Sequence, residues 1–185
     1  MKIIKSILSI IYWVIISFYL FLYRNKILPA KNIKAHLISV GNITVGGTGK
    51  SPMVIYLSRL LEKLNISHSV VSRGYGRKSK NMIVVNDGVE TCAKINDSGD
   101  EAQVLSQKLK NVPIVVGDKL RGCEFIERNF NSRIILMDDG FQTFNLARDL
   151  NILLIDLSGN VNEYKLLPLG SLREPLSGIE RAGCV

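Results

Sequence analysis

From residue 35 onward, short apolar runs alternate with longer segments whose apolar residues recur at helical spacing. Short apolar runs bounded by turns are typical of strands buried on both faces, and the longer segments are typical of helices packed against them. The alternation predicts βαβ units and therefore an α/β fold, with a mostly parallel sheet and helices on both faces. The predicted strands are 36–40, a run around 70–71, 82–85, 113–116, 134–137 and 151–157, and the predicted helices are 51–64, 99–110 and 118–130.

The N-terminal segment has a different pattern, because 6–23 contains eighteen residues and no charge. A helix of this length reaches about 27 Å, slightly less than the hydrocarbon thickness of a bilayer. Apart from three serines the segment is apolar on all sides. Its aromatic residues Tyr12, Trp13, Tyr19 and Tyr23 are of the type found at the headgroup boundary.

Three interpretations of this helix compete. A signal peptide fits the lysines that precede it, but 28–30 (Leu-Pro-Ala) is a poor cleavage site. A helix buried in a soluble core would leave nothing polar to face water. A membrane anchor fits both length and flanks, so we predict an anchor and basic linker over 1–34, with insertion depth left open.

Charge is distributed unevenly between this arm and the rest of the chain. The whole chain has 24 basic and 16 acidic residues, a net charge of +8. The first 34 residues hold six of the basic residues and no acid, which leaves 18 basic and 16 acidic residues, or +2, for 35–185. A nearly neutral body argues against nucleic acid as a partner, and a basic arm favours a membrane surface. More basic residues follow the helix than precede it, which places the body in the cytosol.

A glycine-rich turn joins the first predicted strand to the first predicted helix, over 41–51 (GNITVGGTGKS). Such a turn lets backbone N–H groups approach phosphates, and the helix N-terminus adds a positive dipole. Lys50 can reach the β and γ phosphates, and the Ser51 hydroxyl can bind Mg²⁺. The strict phosphate-loop pattern fails at one position, where Thr44 replaces glycine. A plain strand-to-helix turn is the alternative, and phosphate binding is favoured over it. The candidate phosphate-binding residues are Thr44, Val45, Gly46, Gly47, Thr48, Gly49, Lys50 and Ser51.

Two further carboxylate pairs are candidates for chemistry. Asp138 and Asp139 follow an apolar strand, where a second Mg²⁺ ligand is expected beside a phosphate loop, although a simple Asp-Gly turn is the alternative. Asp100 and Glu101 precede a helix. Either one is a base for an acceptor hydroxyl, or Ser98 and Glu101 form a capping box, and spacing alone does not decide between them.

Basic residues cluster after the second strand, in 72–80. The residues Arg73, Arg77, Lys78 and Lys80 form a solvated loop or, beside a phosphate site, a surface for an anionic acceptor. Near the end of the chain, Arg173 could stabilise a phosphate in transfer or pair with its neighbour Glu174.

Taken together and in this order, these segments resemble the tetraacyldisaccharide 4'-kinase (lipid A 4'-kinase) family. The resemblance rests on the N-terminal helix and on 39–52 (SVGNITVGGTGKSP), 72–77 (SRGYGR), 99–102 (GDEA), 137–142 (MDDGFQ), 146–150 (LARDL) and 166–182 (LLPLGSLREPLSGIERA). It extends over essentially the whole chain, and the family also lacks the loop glycine at the position of Thr44.

The resemblance implies a P-loop kinase domain over 35–185 that uses ATP and Mg²⁺. Its expected substrate is the 4' hydroxyl of a tetraacyldisaccharide 1-phosphate lipid at the cytosolic face of the inner membrane, with no obligate protein partner. Expected roles carried over by position are Asp100 as catalytic base, with Lys50 and Arg173 also catalytic. Glu174 is expected near the nucleotide, Arg73, Tyr75 and Arg77 on the substrate side, and Ser51, Asp138 and Asp139 at the metal.

Members of this family are longer than this chain, so we expect 1–185 to be the N-terminal part of such a kinase. The missing part would contain a histidine that supports the catalytic aspartate. A catalytically inactive, membrane-bound nucleotide-binding fragment is therefore the alternative. A membrane-tethered GTPase is disfavoured, because the guanine-reading Asn-Lys-x-Asp pattern is absent from the sequence.

Overall fold

A computed structural model of the chain describes residues 2–77, 81–93, 95–158 and 163–185. In the described part, five α-helices and six strands are followed by a short 3₁₀ helix. The helices are α1 (Lys2–Arg24), α2 (Lys50–Lys63), α3 (Ile95–Ser98), α4 (Asp100–Lys108) and α5 (Lys119–Asn129). The strands are β1 (His36–Gly41), β2 (His68–Ser72), β3 (Ile83–Asp87), β4 (Pro113–Val116), β5 (Ile134–Asp138) and β6 (Leu150–Leu153), and the 3₁₀ helix is Leu176–Arg181.

The strands form one six-stranded sheet in the order β3-β4-β2-β5-β1-β6. All neighbouring pairs are parallel except β3 and β4, which are antiparallel. This confirms the predicted α/β fold. One strand is shorter than expected: the apolar run 151–157 predicts a single strand, but β6 ends at Leu153, and 154–157 is not strand.

Helices cover both faces of the sheet, and successive strand residues alternate between them. In β2, Val70 packs in the core under α2 and α4, and Val71 packs in the core under α5. Buried apolar positions such as Val54 on α2 and Ile126 on α5 complete the two layers. Burial on both faces explains why these strands appear in the sequence as continuous apolar runs.

The C-terminal segment adds a small third core beside the end of β1. Ile43, Phe141, Leu153 and Leu172 are buried together there. Extended backbone around Leu172 pairs with Thr44 in an antiparallel bridge. The segment is thus held directly against the glycine-rich turn.

Helix α1 lies along the surface of the body and turns one side toward it. Ser9 Oγ donates a hydrogen bond to the carbonyl of Leu166 (2.9 Å), and the Tyr19 and Tyr23 rings pack on Phe144 at centroid distances of 5.7 and 5.8 Å. The opposite side is apolar and exposed. Little of segment 3–24 is buried, and its length and composition would allow it to cross a membrane.

The aromatic residues of α1 lie on two sides of the helix, and a headgroup position for them remains a prediction. Tyr12, Tyr19 and Tyr23 contact the body, and Trp13 is 51% exposed on the outer side. Helical spacing allows for this, because residues three and four apart share one face.

Candidate active site

The carboxyl edge of the sheet brings together segments that are far apart in sequence. Because β1, β2, β4 and β5 are parallel, the turns that follow them emerge at the same edge. The turn after β1 is the glycine-rich segment. The turn after β5 contains Asp139, and α5 begins with Lys119 just after β4. In such folds this edge is where ligands bind.

The glycine-rich turn has an open, ligand-accessible shape. Gly49 is the N-cap of α2 and has φ +79°, a left-handed conformation that favours glycine. A Cβ on Gly46, Gly47 or Gly49 would meet nothing within 4 Å. Val45 and Thr44 hold the start of the turn through the backbone, since the Val45 N–H donates to the Ser171 carbonyl (2.8 Å). The buried Thr48 Oγ1 has no partner among the described residues.

Lys50 is the first residue of α2 and points its ammonium group back over the turn. Its Nζ donates to the carbonyl of Gly46 (3.3 Å) and to Asn42 Oδ1 (3.5 Å), and lies 3.7 Å from Asp139 Oδ1. Ser51 follows it in the first turn of α2 and is half-buried. The turn, the helix N-terminus and the ammonium group together form an anion-binding cradle.

Asp138 is the last residue of β5 and only 2% of it is exposed. Ser72 donates a hydrogen bond to its Oδ2 (3.4 Å), and its Oδ1 has no partner among the described residues. Burial raises the pKa of Asp138 to about 6; the positive charge of Lys119 opposes this rise and the negative charge of Glu101 adds to it. A buried carboxylate oxygen without a partner is poised for a cation.

Asp139 has φ +50°, which is uncommon for a residue other than glycine. Its carboxylate accepts two hydrogen bonds from Arg173 Nη1 (3.0 and 3.1 Å), and its carbonyl accepts one from Lys119 Nζ. Burial raises the pKa of Asp139, but the charges of Lys119 and Arg173 outweigh it, so the pKa lies below its ordinary value. Burial also lowers the pKa of Lys119 to about 8, against the attraction of both aspartates.

Arg173 and Glu174 occupy different environments although they are adjacent. Arg173 Nη1 faces the site and also donates to Gln142 Oε1 (3.3 Å). Glu174 is fully buried, and both of its oxygens accept hydrogen bonds, from Arg181 Nη2 (2.6 Å) and Gln142 Nε2 (2.8 Å). A direct nucleotide contact, as expected from the sequence, would require Glu174 to leave these partners. Its geometry is that of a residue that supports Gln142.

The N-terminus of α4 lies beside the turn after β2. Gly99 has φ +87°, and a Cβ there would be 2.4 Å from the carbonyl oxygen of Tyr75. Asp100, the first helical residue, is exposed, and the charge of Glu101 acts on Asp138. The capping-box alternative is not supported, because Gly99 and not Ser98 is the N-cap.

The expected substrate loop is largely open to solvent. Tyr75 is 80% exposed, Arg73 is exposed, and Arg77 donates to the carbonyl of Asn81. The charge of Arg73 acts on Lys119, which places it toward the two aspartates. Lys78 and Lys80 lie outside the described residues.

Three side chains of this edge were not singled out by the sequence. Lys119 is the cation nearest the backbone of Asp139, and Gln142 links Arg173, Glu174 and the carbonyl of Asn42. Asn42 is fully buried and accepts from Lys50. The sequence could have indicated two of them, because Gln142 lies inside the motif 137–142 and Asn42 inside the motif 39–52. For Lys119 the sequence offered only its place at the start of a helix after a strand.

A parallel sheet with helices on both faces, and a glycine-rich turn ending in Gly-Lys-Ser between β1 and α2, define an α/β protein of the P-loop NTPase-like class. The sequence model described as "Tetraacyldisaccharide-1-P 4'-kinase" matches residues 1–185. The chain therefore belongs to the tetraacyldisaccharide-1-P 4'-kinase family.

Individual relatives agree with this assignment. A tetraacyldisaccharide 4'-kinase of Halothermothrix orenii is 41% identical over 97% of this chain and 47% of its own length, and one of Desulfatibacillum aliphaticivorans is 35% identical over 97% and 49%. The crystal structure of LpxK from Aquifex aeolicus in complex with ATP is similar with a TM-score of 0.88 and 38% identity, over 95% of this chain and 55% of that one. The chain spans about half the length of the curated relatives it matches.

Proposed function

We propose that the protein carrying this chain transfers the γ-phosphate of ATP to the 4' hydroxyl of a tetraacyldisaccharide 1-phosphate lipid. The observation that carries the proposal is the meeting, at one sheet edge, of an open anion cradle with a buried carboxylate oxygen that has no partner among the described residues. The proposed acceptor is taken from the names of the relatives, and ATP as the donor is taken from the Aquifex aeolicus structure, which is a complex with ATP.

In this proposal the residues 44–51 hold the triphosphate. Backbone N–H groups of the turn and the dipole of α2 attract the phosphate oxygens, and Lys50 exchanges its bonds to Gly46 and Asn42 for bonds to phosphate. Arg173 is held 3.0 Å from Asp139 and is available to stabilise the charge of the phosphoryl group in transfer.

Mg²⁺ fits the oxygen donors at this edge. Asp138 Oδ1 is buried and unpartnered, and a hydroxyl at Ser51 follows the cradle. In the described part of the chain there is no cluster of three or more carboxylate, histidine or cysteine side chains, and Mg²⁺ usually needs only one or two carboxylates when phosphates complete its shell. Asp138 and Ser51 would hold the ion and Asp139 would lie beside it. Bound Mg²⁺ neutralises phosphate charge and orients the γ-phosphate.

The acceptor side would be formed by the start of α4 and the turn after β2. Asp100 is exposed at the helix start and free to accept a proton from the sugar hydroxyl as the catalytic base. Arg73, Tyr75 and Arg77 project from the neighbouring turn and would contact the disaccharide and its phosphate.

Helix α1 would bring the enzyme to its lipid. Contacts from Ser9 to Tyr23 hold one side of the helix on the body over about 21 Å of helix length. The outer side is apolar and is followed by basic residues at Arg24 and Lys26. We infer that this outer side enters the cytosolic leaflet of the inner membrane, with the sheet edge facing the acceptor headgroup.

The test is phosphate transfer by the full natural protein, with ATP, Mg²⁺ and the tetraacyldisaccharide 1-phosphate in mixed micelles. Wild type should form the 4'-phosphorylated lipid. Asp100→Asn should lower the rate by about 10²–10⁴-fold, the usual contribution of a general base. Asp97→Asn, a matched change at an exposed site three residues earlier, should leave the rate unchanged. An inactive full natural protein would contradict the proposal. The inactive-fragment alternative holds instead if residues 1–185 alone bind ATP but transfer nothing, and any turnover by them would exclude it.

A further inference from the structure

Helix α1 makes a polar contact with the active-site edge. The hydroxyl of Tyr12 donates a hydrogen bond of 2.5 Å to the carbonyl oxygen of Arg173. This is the residue whose guanidinium group is bonded to Asp139. A mostly apolar helix therefore touches the backbone of a charged residue of the site.

The backbone of Arg173 is held from both sides. Its N–H donates to the carbonyl of Ile43 (2.8 Å), at the entrance to the glycine-rich turn, and its carbonyl accepts from Tyr12. One residue thus joins α1 to the phosphate cradle. Because each hydrogen bond fixes one side of the same peptide segment, loss of either one gives Arg173 freedom to leave Asp139.

The contact of Ser9 with Leu166 has a different place in the fold. Ser9 Oγ binds the carbonyl of Leu166, which also accepts from the backbone N–H groups of Leu169 and Gly170. Removal of the Ser9 hydroxyl therefore leaves that carbonyl partnered. The carbonyl of Arg173 has Tyr12 as its only donor among the hydrogen bonds of the described residues. The two contacts hold the same helix but differ in their consequence for the site.

We propose that Tyr12 is a positioning residue, which holds Arg173 in place for phosphoryl transfer and so couples the membrane-facing helix to the active site. The inference rests on the proposed kinase activity. It adds that α1 contributes to the geometry of the phosphate site as well as to membrane attachment. Tyr12 does not touch the substrates and acts through the backbone of Arg173.

The substitution that isolates this contact is Tyr12→Phe, which removes the hydroxyl and keeps the ring. The matched control is Tyr19→Phe on the same helix. The ring of Tyr19 packs on Phe144 and Tyr23, and the substitution keeps this ring. Tyr19 lies seven residues after Tyr12, about 10 Å along the helix. Both variants are made in the full natural protein and purified in the same detergent.

Kinetics give the first readout. Tyr12→Phe should lower kcat about three- to tenfold, the range expected for one hydrogen bond, with KM for ATP within twofold of wild type. Sedimentation with vesicles of phosphatidylethanolamine and phosphatidylglycerol should be unchanged for both variants, and Tyr19→Phe should retain the wild-type kcat. A Tyr12→Phe variant with wild-type kcat overturns the inference. So does one that loses activity only in proportion to its loss of vesicle binding.

Amide hydrogen exchange gives a readout that does not depend on activity. Tyr12→Phe should accelerate exchange in a peptide covering 171–174, where the Arg173 N–H is bonded to Ile43, and Tyr19→Phe should not. Unchanged exchange in 171–174 contradicts the inference even if the wild-type protein were inactive. Failure of wild type to phosphorylate the lipid would instead contradict the proposed function.

Discussion

Buried polar side chains differ in their hydrogen bonding between the two edges of the central sheet, the amino edge where the parallel strands begin and the carboxyl edge where they end. At the amino edge, His68 Nε2 lies 2.6 Å from Ser58 Oγ and its Nδ1 lies 3.0 Å from the Ile66 carbonyl, while Ser69 and Ser132 bond to each other at 2.6 Å. At the carboxyl edge, Asp138 and Thr48 each have a buried oxygen without a partner among the described residues.

We infer that this difference separates polar groups that stabilise the fold from polar groups that bind a ligand. Native proteins satisfy nearly all buried polar atoms, so unsatisfied ones need an explanation. Of the five such side-chain atoms in the described part of the chain, none belongs to the amino-edge residues just named. That edge does contain a concavity of about 550 Å³ beside His68. The presence of a concavity therefore does not by itself favour an edge, and we base the proposed site on the unsatisfied oxygens of Thr48 and Asp138 beside the glycine-rich turn.

Replacement of Lys50 should give the largest effect, because it removes the ammonium group of the cradle. Lys50→Ala should lower kcat by about 10²–10³-fold, the usual loss for one group that stabilises developing charge. Lys63→Ala, at the opposite end of the same helix, should retain activity. The kcat values are measured by lipid phosphorylation at saturating ATP. Equal rates for wild type and Lys50→Ala would contradict the proposal that the carboxyl edge, and not the amino edge, binds the phosphates.

Replacement of Asp138 should stabilise the fold, because burial of its ionised carboxylate costs stability. Its pKa is raised from 3.8 to about 6, so the folded chain binds the proton more tightly than the unfolded chain does. Stability is therefore lost as the pH rises from about 4 to about 6, and the full loss is present above about pH 6. Asp138→Asn should raise the free energy of unfolding by about 3 kcal/mol at pH 7.5 in metal-free buffer.

The increase in the free energy of unfolding of Asp138→Asn over wild type should shrink as the pH falls. It should disappear below about pH 4, where Asp138 of the wild type is protonated in both the folded and the unfolded state. Urea unfolding at several pH values measures it, with exposed Asp97→Asn as the control. A loss of stability in Asp138→Asn at pH 7.5 would show that the carboxylate is a satisfied structural group like those of the amino edge.

Replacement of Lys119 should have a smaller effect, on pH dependence. Its charge lowers the pKa of Asp138, so Lys119→Met should raise that pKa further. The acidic limb of the pH–rate profile should move to higher pH by about one unit, the scale of a close charge in a partly buried site. Lys108→Met, at the end of α4, is the control. If the acidic limb of the pH–rate profile does not move in Lys119→Met, the charge of Lys119 does not act on the group that limits the rate.

Replacement of Ser58 should have the smallest effect and none on function. Ser58→Ala removes one partner of the buried His68 and should lower the free energy of unfolding by about 1 kcal/mol. The Kd for ATP, measured by calorimetry, should remain that of wild type. A weakened ATP affinity in this variant would show that the amino edge takes part in binding.

The sequence predicts most of the fold and the local parts of the site for a physical reason. Strand periodicity, the glycine-rich turn and the carboxylates after β5 are each encoded within a few neighbouring residues. Parallel pairing then brings the strand ends to one edge without further information. The shortness of β6 is not visible in the sequence, because Leu154 and Ile155 still pack against the cores without continuing the strand.

The remaining features depend on contacts between distant segments. The hydrogen bond from Lys119 to Asp139 needs the registers of both β4 and β5 on β2, which lies between them. The burial of Glu174 needs Arg181 and Gln142 to close around it. Likewise, the side of α1 that faces the body is set by Phe144 and Arg173. Such contacts are fixed by tertiary packing and leave no short-range pattern.

Hydrogen exchange of the full natural protein with and without Mg²⁺ and ATP tests the central claim most directly. If the carboxyl edge is the nucleotide site, protection should increase in peptides covering 41–51 and 138–142, and peptides covering 66–69 and 131–133 should exchange as before. Protection confined to the amino-edge peptides around the 550 Å³ concavity, or no protection at 41–51, would contradict the account.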